Sequence, residues 1–209
     1  MKYNFITIEG NIGSGKTSLT KMLAHEYGAK LILEEFEDNP FLAKFYQNQE
    51  KYAFPLELSF MAERYKQLKE SFQADLFNQK LVSDYSFFKS LIFAKVTLPE
   101  DEYKLYYNLF YIINEKLMKP DLLVYLYSDV TRLLENIKIR GREYEKDIKN
   151  DYLNHIQQTY LNHFKTIKNT KILVLNVSNI NFVEDNNDFE KILTTLDKDY
   201  SLGVNMLDL

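Results

Sequence analysis

Ile8-Glu9-Gly10-Asn11-Ile12-Gly13-Ser14-Gly15-Lys16-Thr17 joins the end of an apolar, β-branched segment to the start of a segment with helical spacing. Residues 10–17 fit the pattern G-x-x-x-x-G-K-[ST], and the pattern carries weight here because a strand is predicted before it and a helix after it. The chemistry accounts for the residue types. Glycines let backbone N–H groups wrap an oligophosphate at the positive end of a helix, Lys16 adds a point charge, and the Thr17 hydroxyl can join a Mg²⁺ shell. Gly10, Asn11, Ile12, Gly13, Ser14, Gly15, Lys16, Thr17 and Ser18 are therefore the expected contacts of a nucleoside triphosphate.

The rest of the chain supplies a sheet for this loop. Short β-branched or aliphatic runs recur at 3–8, 30–34, 80–83, 121–127 and 171–177. Five strands alternating with helical segments predict an α/β fold with a parallel sheet covered on both faces. After Lys16, Leu19, Met22, Leu23 and Tyr27 form one stripe, and Gly28 stands where a C-terminal cap belongs. Further helices are predicted at about 55–72, 101–117, 148–167 and 189–196, with a polar loop at 179–188. No repeat or linker divides the 209 residues, so a single domain is expected.

Composition narrows the function. There is no cysteine, which rules out disulfides, a thiol nucleophile and thiolate metal sites. With 26 basic and 30 acidic residues the net charge is −4, which argues against a surface for a nucleic-acid polymer. The first residues lack the pattern of a signal peptide or membrane anchor, so the cytoplasm is expected and no membrane partner.

Two strand ends add candidate residues. Asp84 closes the third strand run; a lone strand-end aspartate reads as a turn or helix cap, but beside a phosphate cradle it also reads as a second oxygen ligand for Mg²⁺, with Thr17. The second strand ends in Glu34-Glu35-Phe36-Glu37-Asp38-Asn39-Pro40. Acidic residues repel a triphosphate, so one carboxylate here makes sense as the acceptor of a proton from an attacking hydroxyl. Asp38 or Asn39 also fits as the cap of a helix beginning near Pro40.

With these motifs in order, the chain resembles the deoxyribonucleoside kinase family, in its bacterial deoxyadenosine, deoxyguanosine and deoxycytidine branch, over about residues 3–177. The resemblance rests on residues 8–16 and on Asp38-Asn39-Pro40, and it implies a P-loop kinase fold. It selects Glu34 over Glu35 as the residue that takes the proton from a nucleoside 5′-hydroxyl. It further implies that Tyr46 and Glu145 contact the sugar 3′-hydroxyl and that Arg64 helps hold the base. Arg140-Gly141-Arg142 resembles the family's lid, about 138–148, with both arginines catalytic alongside Lys16 and Glu34. Glu57, Met61 and Arg64 at i, i+4 and i+7 share one helix face, which supports a polar-edged pocket.

The implied reaction is ATP-dependent phosphorylation of a deoxyribonucleoside for salvage, with Mg²⁺, in a homodimer, and a purine base is expected. Two departures from the family pattern bear on this. Tyr85 replaces an arginine, with Lys89 the candidate substitute, and Glu57 replaces a base-reading glutamine. A thymidylate-type monophosphate kinase and a non-catalytic nucleotide-binding subunit are the competing readings.

Overall fold

The computed structural model describes residues 1–35, 38–73 and 80–209. Its strands are β1 (Phe5–Gly10), β2 (Lys30–Ile32), β3 (Leu81–Ser83), β4 (Leu122–Tyr127), β5 (Lys171–Asn176) and β6 (Gly203–Asp208). Its helices are α1 (Lys16–Tyr27), α2 (Leu42–Gln47), α3 (Gln49–Gln73), α4 (Lys89–Thr97), α5 (Glu100–Asn114), α6 (Val130–Arg140), α7 (Asn150–Thr166) and α8 (Asn186–Leu196). The strands form one sheet in the order β2-β3-β1-β4-β5-β6, and every neighbouring pair is parallel.

Alternation along the central strands builds two cores. Ile6 and Ile8 of β1, Leu122, Val124 and Leu126 of β4, and Leu173 and Leu175 of β5 face one side, where they meet Leu19 and Leu23 of α1 and Phe189 and Ile192 of α8. Leu123, Tyr125, Ile172 and Val174 face the other, against Ile92 of α4 and Ile156, Tyr160 and Phe164 of α7. With both faces covered, the strands read as near-continuous apolar runs, which is why they were legible. A third cluster joins α3, α4 and α5 through Leu56, Phe60, Met61, Leu91, Tyr106 and Phe110.

The expectation of five strands is corrected to six. β6 alternates half-buried and exposed residues, including exposed Val204 and Met206, because it is an edge strand with only one covered face. It therefore lacks the apolar run that marked the others. The predicted helix at about 55–72 begins earlier, at Gln49, with Pro55 inside it. The last helix starts at Asn186, shortening the expected loop, and Asp185 caps it through the backbone N–H of Asn187. Gly28 closes α1 in the left-handed conformation, as its position suggested.

β6 covers the edge of β5, and Leu207 and Leu209 pack against the first core. Removing residues 201–209 uncovers the β5 edge and the apolar surface under the partly buried Leu207 and Leu209, and is expected to cost about 2–3 kcal/mol. Urea unfolding should show it as a lower midpoint, and light scattering as association through the bared edge.

Candidate active site

β2, β3 and β1 are adjacent and parallel, so their carboxyl ends open on one crevice. That topology brings Glu34, Asp84 and the loop after β1 together from three separate parts of the chain. They border a cleft of about 1220 Å³, which is also lined by α3, the segment 139–145 and residues 180–184.

The loop after β1 is built for close backbone approach. Gly13 and Gly15 both have φ of +83°, and a Cβ on Gly13 would lie 2.6 Å from the carbonyl oxygen of Leu133. Only glycine meets both demands. Asn136 on α6 fixes the loop by donating Nδ2 to the Gly13 carbonyl at 2.8 Å. Lys16 donates Nζ to the Asn11 carbonyl at 3.5 Å, curling over the loop. Burial, with Lys89 adding repulsion, lowers its pKa to about 8 against the pull of Asp84, Glu34 and Glu9. An arriving polyphosphate would restore the full charge.

Asp84 ties the loop to β2. Its Oδ2 accepts the Thr17 hydroxyl at 2.6 Å, and its Oδ1 accepts the backbone N–H of Glu34 at 2.8 Å. Thr17 and Asp84 thus offer two hard oxygens at the mouth of the phosphate cradle. This suits Mg²⁺, which takes one or two protein oxygens and completes its shell with phosphate and water.

Glu34 turns inward and Glu35 lies exposed, so the two adjacent glutamates are distinguished by burial. Glu34 Oε1 accepts from Arg64 Nε at 2.8 Å and Nη2 at 2.7 Å, and Oε2 accepts from Lys89 Nζ. Burial alone would raise its pKa, but Lys89 and Arg64 outweigh burial and hold it at about 2. Arg64 also donates Nη1 to Ser90 Oγ at 2.8 Å. Of the acidic run, Phe36 and Glu37 lie outside the described residues. Asn39 accepts the Phe41 N–H at 3.0 Å, making the turn into α2, and Phe41 itself holds the N-cap position of that helix.

Met61 and Glu57 join Arg64 as buried residues on one face of α3, as their spacing indicated. The Glu57 Oε1 accepts from Thr97 Oγ1 at 3.1 Å, and burial lifts its pKa to about 7 against Arg64 and Thr97. Tyr46 on α2 stacks on Tyr144 with ring centroids 5.8 Å apart. Burial and the nearby Glu145 carboxylate push the Tyr46 hydroxyl pKa up. Glu145 is buried and accepts from Arg140 Nε at 3.1 Å, with Arg142 Nη1 3.6 Å from its other oxygen. Both arginines of the segment after α6 are therefore held on Glu145.

Sequence reasoning left two groups without a firm place. Lys89, noted only as a candidate substitute, is a buried cation of the Glu34 cluster; its signal was a lone lysine among Phe87, Phe88, Leu91 and Ile92. Tyr85, where the arginine is absent, points elsewhere and donates its hydroxyl to Gln67. Glu9 was not singled out. It is fully buried and accepts the Ser86 N–H at 2.8 Å, the Ser86 hydroxyl at 2.7 Å and the Tyr160 hydroxyl at 3.0 Å, anchoring the turn after β3 to α7.

A phosphate cradle after β1 and an inward carboxylate after β2, joined through Asp84 at the end of the intervening β3 and flanked by an arginine-bearing segment, define a P-loop phosphotransferase. The family model "Deoxynucleoside kinase" matches residues 6–200, and the chain belongs to that family: it is a kinase of deoxynucleosides. It is 36% identical over 195 residues to deoxyguanosine kinase of Bacillus subtilis (strain 168), covering 90% of this chain and 93% of that one. It is 33% identical to the deoxyadenosine/deoxycytidine kinase of the same organism, covering 92% and 91%. The fold matches deoxyadenosine kinase from M. mycoides, solved with bound dATP, at a TM-score of 0.77 and 21% identity over 93% of this chain and 99% of that one. The thymidylate-type and non-catalytic readings are thereby set aside.

Two carboxylates give stability opposite pH slopes. The Glu34 pKa falls from 4.5 to about 2, so its contribution is complete above pH 4.5 and disappears as pH drops through 2. The Glu57 pKa rises from 4.5 to about 7, so its contribution is complete below pH 4.5 and disappears as pH climbs through 7. Each span corresponds to about 3 kcal/mol. Chemical unfolding of wild type and Glu57→Gln at pH 4.5 and pH 7.5 should show a difference between the two proteins that changes by this order.

Proposed function

We propose that the chain transfers the γ-phosphoryl group of ATP, taken with Mg²⁺, to the 5′-hydroxyl of a purine deoxynucleoside, deoxyadenosine or deoxyguanosine. One observation carries the reading: the inward Glu34, held in its ionised form by Lys89 and Arg64, is tied through Asp84 to the loop that holds Lys16. The names of the two Bacillus subtilis relatives support a base drawn from guanine, adenine and cytosine.

In this scheme residues 10–18 hold the triphosphate and Lys16 neutralises its terminal oxygens. Mg²⁺, held by Thr17 and Asp84, would shield charge between the β- and γ-phosphates. The deoxynucleoside lies between Glu34, Tyr46, Glu57, Met61, Arg64 and Glu145, with Tyr46 and Glu145 at the sugar 3′-hydroxyl. Glu34 accepts the hydrogen bond of the 5′-hydroxyl and aims its oxygen at the γ-phosphorus. A carboxylate with a pKa near 2 is a weak base, which suits a loose transition state in which the proton leaves late. Arg140 and Arg142, in a lid spanning about 138–148, exchange Glu145 for the transferring group and exclude water.

We place the reaction in one domain, in the cytoplasm; no helix among the described residues is long and apolar enough to cross a membrane. A homodimer is supported by α5, which exposes Leu105, Leu109 and Ile112 along one stripe.

Incubation with ATP, Mg²⁺ and mixed deoxynucleosides should yield 5′-monophosphates, with a purine product leading. Glu34→Gln is expected to lower kcat by about 10²–10⁴ with a modest change in nucleoside KM. An unchanged kcat would overturn its role. The wild-type kcat profile should show no Glu34 limb above pH 4, since that group is already ionised there.

A further inference from the structure

The turn between β3 and α4 has two sides. Asp84 and Lys89, at its ends, line the cleft, whereas Tyr85, Ser86, Phe87 and Phe88 between them line a separate cavity of about 340 Å³. This cavity lies on the sheet face that carries Leu123 and opens at the amino ends of β4 and β5, beside Lys119, Pro120 and Thr170. It shares no lining residue with the cleft.

Its lining has a defined chemistry. Phe5, Tyr85, Phe87, Phe88, Phe110 and Tyr111 supply aromatic rings, and Lys119 and Lys168 stand exposed at the rim. Among the described residues the lining holds no carboxylate side chain, in a chain with more acidic than basic groups. Lys119 donates Nζ to the carbonyl oxygen of Asn114 at 3.1 Å and to its Oδ1 at 2.6 Å, which leaves one N–H. Desolvation lowers its pKa, and no neighbouring acid raises it. Burial also lowers the pKa of His163, so at neutral pH it adds an uncharged ring. The volume is about twice the roughly 150 Å³ of an apolar cavity that takes up benzene, which suits two fused rings. Flat rings pack well on aromatic walls, and an anionic group at the rim meets ammonium groups with no carboxylate to repel it.

We propose that this cavity is a second ligand site, which takes a two-ring aromatic carboxylate with its rings among the phenylalanines and its anionic group at Lys119 and Lys168, and that its occupancy alters phosphoryl transfer. The effect on transfer rests on the cleft being the kinase site; the binding does not. The turn is the route. Glu9 pins Ser86 through its N–H and its hydroxyl. A ligand that moves Phe87 or Phe88 therefore tilts the first turn of α4 instead of carrying the whole segment with it. Leu91 lines the cavity, while Lys89 and Ser90 immediately before it hold Glu34 and Arg64. Movement there changes how Lys89 holds the Glu34 carboxylate.

Naphthalene carboxylate, naphthalene methanol and naphthyl methylamine carry the same rings with negative, zero and positive charge, and serve as probes. Isothermal titration of the full chain is expected to show saturable binding that weakens in that order. Reversing both rim charges, in Lys119→Glu with Lys168→Glu, is expected to weaken the carboxylate by at least about tenfold and to leave the alcohol unchanged. Thr166→Trp, at the exposed end of α7, is a second variant that narrows the mouth and is expected to weaken all three probes. Absence of saturable binding to the wild type overturns the site, and so does carboxylate binding that a folded form of either variant leaves intact. In assays with ATP, Mg²⁺ and deoxynucleosides, saturating naphthalene carboxylate is expected to change kcat by at least about twofold without competing with either substrate. Binding with an unchanged kcat overturns the coupling. Wild-type protein that forms no deoxynucleoside monophosphate defeats the reading of the cleft, and with it the coupling, while the titration still decides the site.

Discussion

A single buried carboxylate, that of Glu34, is clamped by a guanidinium on one oxygen and an ammonium on the other. Neither cation could be buried without it, and it could not stay ionised at this depth without them. The surrounding structure supplies the geometry: β2 ends at this point, α3 delivers Arg64, α4 delivers Lys89, and Asp84 fixes the backbone of Glu34 to the loop through Thr17. The cluster therefore links the phosphate cradle to the helices that form the rest of the cleft. A shift of α3 or α4 would be felt at Glu34 directly.

Lys89 and Tyr85 lie four residues apart and do different work beside Glu34. The site needs two positive charges against Glu34. The second charge comes from Lys89 in the first turn of α4, four residues after Tyr85. Tyr85 instead turns its ring into the cluster of α3, α4 and α5 and its hydroxyl toward Gln67.

The sheet and the cradle were legible because their signals are local. An apolar strand, a glycine-rich turn and an amphipathic helix follow one another within 25 residues, and each central strand is buried on both faces. β6 escaped notice because an edge strand covered on one side needs no apolar run, and Gly203–Asp208 shows only weak alternation. The face of α3 that carries Glu57, Met61 and Arg64 could be read from spacing alone. Glu9 could not, because its partners Ser86 and Tyr160 lie 77 and 151 residues away and nothing local marks it as buried. Glu34 and Glu35 are equivalent as letters; only the pleat at the end of β2 and the cations across from it separate them.

The pairing of Arg140 and Arg142 with Glu145 has a consequence for how the segment after α6 spends its charge. Glu145 is nearly buried, so a guanidinium that swings toward the P-loop deserts an anion that has little water to replace it. Gain at the phosphates is offset by loss at Glu145 unless some hydroxyl arrives there as a donor. A ligand that fills only the phosphate end leaves that debt standing, while one that also offers a hydroxyl near Tyr46 and Glu145 settles it. If the two arginines serve the phosphates as proposed, occupancy of the two halves of the cleft would be interdependent, and hydrolysis without an acceptor would be disfavoured.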